Sequence, residues 1–78
     1  MSYLNSNVEQ IIENEPVIKM SLQCYALTQG ITYAQSLTSL SSNIDTEGLN
    51  EENPDDYEVA VRIKINAVNH IKSYFGIE

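Results

Sequence analysis

The chain has 78 residues, enough for one domain near the lower size limit at which a single hydrophobic core suffices, and its 11 acids against 4 bases give a formal charge of −7. That balance disfavours direct binding to a nucleic-acid backbone, which needs a basic footprint to displace counterions. A single cysteine, Cys24, leaves no internal disulfide to supplement the core and suits a reduced cytoplasmic setting. Cys24 and His70 lie far apart without the paired spacing of zinc ligands, so no metal or other cofactor is expected. The first 18 residues hold no Lys or Arg and no long apolar run occurs, so neither a signal peptide nor a membrane span is expected.

Ser6-Asn7-Val8-Glu9 fits a capping box, in which a serine hydroxyl and a glutamate three residues on satisfy each other's exposed backbone N–H groups. It predicts a short helix over residues 7–14 with Val8, Ile11 and Ile12 on one face. Pro16 lacks an N–H, its ring would meet the Ile12 carbonyl, and it drives Glu15 out of the helical region, so a break is expected at residues 14–16.

Beyond the break, Val17, Met20, Cys24, Leu27, Ile31 and Ala34 recur at alternating steps of three and four, the spacing of a seam that packs on another helix. Ile18, Leu22, Tyr25, Tyr33, Leu37, Leu40 and Ile44 form a second stripe beside it, an apolar arc too wide for one partner. Gly30 costs about 1 kcal/mol relative to alanine in a helix, so residues 16–42 are either one helix or two joined near Gly30. Ser36, Thr38, Ser39, Ser41 and Ser42 compete for backbone hydrogen bonds and predict a frayed end.

Residues 43–53 read as an acidic loop. Asp45, Glu47, Glu51, Glu52, Asp55, Asp56 and Glu58 fall within a stretch that holds no base. Such a run either keeps the protein soluble or docks a basic partner. The spacing and glycine position of a calcium-binding loop are absent.

Asn53-Pro54-Asp55-Asp56 supplies an N-cap, a proline where no N–H is needed and carboxylates that complement the helix dipole, while Gly76 suits a left-handed stop. A helix over 54–75 follows. Glu58, Arg62, Asn66, Asn69 and Ser73 make its polar stripe; Tyr57, Val61, Val68, Ile71 and Phe75 make the opposite side, with Lys64 at its centre. Val59 to Asn66 also alternate with a period of two, as a strand would, which leaves residues 57–66 readable either way.

A helix over 16–42 would be about 40 Å long and one over 54–75 about 33 Å, against a radius of gyration of roughly 11 to 12 Å for a compact chain of this size. The expected architecture is therefore all-α, a short N-terminal helix plus a long αα-hairpin, packed as a helical bundle in a homo-oligomer of two or more copies.

Lys64 has three readings: a stem that covers apolar surface beneath a wet ammonium, a charge paired across an interface, or, with Arg62 or Lys72 and a tyrosine, the capture of an anionic ligand. Tyr25, Tyr33, Tyr57 and Tyr74 suit packing, or a groove of the kind where aromatics concentrate. His70 borders the polar stripe and reads as a surface residue without a serine or cysteine in evident relation to it. With no catalytic signature, the sequence reads as a small acidic non-enzymatic interaction protein, of the inhibitor or adaptor kind that phages and mobile elements encode. It would bind a protein with a basic surface through Asp45, Glu47, Glu51, Glu52 and part of a helix face. The alternative is sequestration of a small anionic ligand or nucleotide at a subunit interface through Lys64, Arg62 and Tyr57.

Overall fold

A computed structural model of the chain describes residues 3–45 and 54–77, all helix or connection, with four helices: α1 (Ser6–Asn14), α2 (Pro16–Gln29), α3 (Tyr33–Ser42) and α4 (Asp56–Phe75). Residues 57–66 are helical, and no strand occurs among the described residues. Glu47, Glu51, Glu52 and Asn53 lie outside them.

Each boundary has a local cause. Asn5, one residue before the expected Ser6, caps α1 by accepting from the Val8 N–H at 3.0 Å. Pro16 separates α1 from α2 as its chemistry requires: Glu15 is extended and Pro16 takes the first position of α2. α4 opens two residues later than expected, with Asp55 as its cap accepting from the Tyr57 N–H at 2.9 Å, so Pro54 lies before the helix. Gly76 ends it at φ 71°, where the Gly76 and Ile77 N–H groups return to the Ser73 and Lys72 carbonyls in a Schellman closure.

The long αα-hairpin is not formed. Gly30 sits at φ 66° and closes α2 in the same way, with N–H groups of Gly30 and Ile31 on the Leu27 and Ala26 carbonyls. A second signal follows at once: Thr32 and Gln35 form a reciprocal capping box, at 3.1 Å and 2.9 Å, that starts α3. The break lets the chain double back, and its radius of gyration is 11.9 Å, that of a compact single chain. The length argument for a second copy therefore does not hold.

The core draws one stripe from each helix: Val8 and Ile12 of α1; Ile18, Leu22 and Tyr25 of α2; Leu40 of α3 with Ile44 just beyond it; and Val59, Ala60, Ile63 and Ala67 of α4. α2 packs most extensively on α4. The second of the two expected stripes is thus the one buried, whereas the α2 part of the first lies outward, with Val17, Met20 and Leu27 exposed, and its Ile31, beyond the break, packs against the core. On α4 the buried face is turned about a quarter revolution from the expected one, with Ala60 and Ala67 at the helix contact and Tyr57 and Phe75 exposed. Ser36 and Ser41 are fully buried in α3, and their hydroxyls donate to the Tyr33 and Thr38 carbonyls, so neither is an orphaned polar group. The expected fraying of this segment is replaced by a helix continuous to Ser42.

Candidate functional site

The described residues among those singled out from the sequence, Asp45, Tyr57, Arg62 and Lys64, do not all gather in one place. Arg62 lies at the side of α4, where its guanidinium donates to the Asp45 backbone carbonyl and to Glu58 Oε1, the latter at 3.2 Å. One turn on, Asn66 Nδ2 donates to the Leu40 and Asn43 carbonyls at 3.2 Å and 3.3 Å. Together they satisfy carbonyls at and just beyond the end of α3 and hold that end against α4. Arg62, Asp45, Asn43, Asn66, Ile65 and Asn69 line a cleft of about 210 Å³ there. Its one cation is already engaged by a carboxylate and a carbonyl.

Lys64 sits apart from that cleft on a flank of α4, partly buried, with no hydrogen bond or ion pair to any described residue. It lies about a quarter turn from the buried face, with half-buried Val61 and Val68, so it does not project into the core. Cys24 is a half-buried free thiol on the side of α2 that carries Val17, Met20 and Leu27. His70 is exposed, with its ring 5.4 Å from the buried Tyr25 ring in an edge contact.

Tyr57 lines a larger groove of about 470 Å³ between α1 and the start of α4, together with Asn7, Gln10, Ile11, Asn14, Glu15 and Asp56. The heptad-like spacing of Asn7, Gln10 and Asn14 puts three amides on the side of α1 away from buried Val8 and Ile12. Asn5 donates to Asp56 Oδ1 at 3.2 Å and ties the two walls together at one end. Glu15 enters because the proline break leaves it in the extended connection beside the groove. Among the described residues the lining thus offers two carboxylates, three amides and a tyrosine with 54% of its surface exposed, and no cation. Sequence reasoning named Tyr57 but placed it with Lys64 and Arg62; the i, i+3, i+7 spacing of the three amides was the available signal for the groove.

A third polar group joins three helices: Lys19 of α2 pairs with Glu13 of α1, and Tyr33 of α3 lies within electrostatic reach of both. Glu13 raises the Lys19 pKa by holding its ammonium; burial raises that of Tyr33, and Glu13 adds to the rise. Among the described residues no three His, Cys, Asp or Glu side chains converge as a metal site, and no helix is long and apolar enough to cross a membrane.

In comparison with known proteins, no family profile, no curated protein and no solved structure matches this chain.

Proposed function

We propose that this protein is a non-enzymatic interaction module that receives a basic segment of another protein in the groove between α1 and α4. The observation that carries the reading is the lining of that groove: Glu15 and Asp56 beside the exposed Tyr57 ring, with amides along the opposite wall and no cation among the described residues. An arginine or lysine side chain laid on Tyr57 gains a cation–π contact of about 0.5 to 2 kcal/mol, and its head reaches the carboxylates. The amides suit the backbone of an extended peptide, for they both donate and accept. The acidic run from Asp45 to Glu58 leads into the same end of α4, and its field draws a basic partner toward the groove. In this reading the protein works in the cytoplasm as an assembly of copies, since large apolar side chains on α2 and α4 remain uncovered in the single chain.

The test is calorimetric titration with a short Arg/Lys-rich peptide at two salt concentrations. Binding should weaken as salt rises, and Tyr57→Ala should lower affinity by about three- to thirty-fold, the range of the lost ring contact. Glu15→Gln should weaken it too, and replacement of Glu47, Glu51 and Glu52 by Gln should slow association. No binding, or binding indifferent to Tyr57→Ala and to salt, removes the proposal.

A further inference from the structure

We infer that the outward stripe of α2, Val17, Met20, Cys24 and Leu27, is the seam on which a second copy of this chain docks, α2 against α2 about a two-fold axis near Cys24. The inference rests on the self-association part of the reading above and is independent of the groove. Its first support is geometric. Val17 and Met20 keep 66% of their surface exposed and Leu27 keeps 84%, although all three lie in a helix whose opposite face is fully used by the core. Their steps of three, four and three are those by which one helix meets another along a shallow left-handed crossing, so the face has the form of a helix-pairing seam. α2 ends at Gly30, and the stripe from Val17 to Leu27 is centred between Met20 and Cys24. A two-fold axis through that centre lays the stripe along its own copy over its whole length.

The second support is electrostatic and identifies the occupant. From Pro16 to Ser42 the chain carries one charged residue, Lys19, and Glu13 neutralises it. In a chain of net charge −7 this is a neutral surface, so two copies meet here without bringing carboxylates face to face, whereas contact through the acidic side would be repulsive. A basic partner gains nothing from a surface without carboxylates. The stripe from Val17 to Leu27 is about 15 Å long, which makes the contact smaller than the roughly 800 Å² per partner of a standard interface, the size class of weak, concentration-dependent association. The overall repulsion of two acidic chains is screened by salt, so the dimer should tighten as salt rises, opposite to the basic peptide.

Sedimentation equilibrium from about 5 to about 500 µM, at low and high salt, tests this for the wild type, Leu27→Glu and Ile65→Glu. The wild type should pass from one chain toward two, further at high salt. Leu27→Glu should raise the dissociation constant about tenfold or more while keeping the wild-type helical signal, because its site is exposed in the single chain. Ile65→Glu, at an exposed site on α4, should behave as wild type. One chain throughout the range overturns both the seam and self-association. A dimer that survives Leu27→Glu, or one lost equally in Ile65→Glu, leaves self-association standing and overturns the seam.

Discussion

Asn66 reaches from the middle of α4 to the Leu40 carbonyl at the end of α3, a bond of 3.2 Å between residues 26 positions apart. A second bond from the same amide to the Asn43 carbonyl makes this side chain a clamp across the chain's last turn before residue 46. Asn66→Leu would remove both donors and leave two carbonyls to find water, at an expected cost of about 1 to 3 kcal/mol in denaturant unfolding. Affinity for a basic peptide should not change, since Asn66 is absent from the groove lining. A loss of affinity at unchanged stability would assign it to the binding surface instead.

The packing of α4 and α2 makes a paired prediction. Ile63 is fully buried, and Ile63→Ala should cost about 2 to 5 kcal/mol through lost burial and the cavity left behind. Leu27→Ala, the same kind of deletion in an exposed residue, should stay within about 0.5 kcal/mol at concentrations where the chain is single. Chemical denaturation at low micromolar concentration measures both; equal costs would contradict the assignment of the two faces.

The sequence announced its punctuation more clearly than its faces. Pro16, Gly30 and Gly76 act through backbone geometry that no tertiary contact needs to supply: Pro16 and Gly76 break and end helices where expected, and Gly30 takes the two-helix reading of the two it left open. The Thr32–Gln35 box was readable by the same rule as Ser6–Glu9 and would have decided between one helix and two. Faces were harder because α2 is apolar over two adjacent arcs, and periodicity alone does not say which arc meets the core. On α4 the core face includes Ala60 and Ala67, whose small side chains weigh little in a hydrophobic pattern but permit close helix approach, while Tyr57, Val61 and Ile65 draw attention to the outer side. The groove was obscured for a related reason: it combines residues from α1, the α1–α2 connection and α4, and only the fold brings them together.

Tyr33 should make stability depend on alkaline pH. Burial lifts its pKa above the ordinary value near 10, and the Glu13 carboxylate pushes it the same way. A group raised on folding contributes stability that is fully present below its unfolded pKa and is lost as pH rises through the folded one. The melting temperature should therefore fall above about pH 10, where the unfolded phenol ionises first. Tyr33→Phe keeps the ring and removes the titration, so its decline above pH 10 should be shallower than that of wild type. Lys19, also raised through Glu13, contributes to the same fall and remains in the variant. Parallel melting curves for the two proteins between about pH 8 and 11 would exclude the tyrosine as a source.

Lys64 separates a surface role from a site. It is partly buried on a flank of α4, without a hydrogen bond or ion pair to a described residue. Its stem can cover the neighbouring apolar surface of Val61 and Val68 while the ammonium stays in water. Lys64→Met preserves that cover and removes only a solvated charge, so stability should move by less than about 1 kcal/mol. Removing a cation from an acidic chain should leave basic-peptide affinity equal or slightly greater, the opposite of the loss expected for Tyr57→Ala. If the lysine instead paired with an acid across an interface, the variant would leave that acid buried and unpaired, and the dimer would weaken by a few kcal/mol. Thermal melts, sedimentation and the peptide titration on one variant distinguish these results. A destabilised dimer with Lys64→Met and an intact one with Leu27→Glu would move the interface from α2 to the outer face of α4.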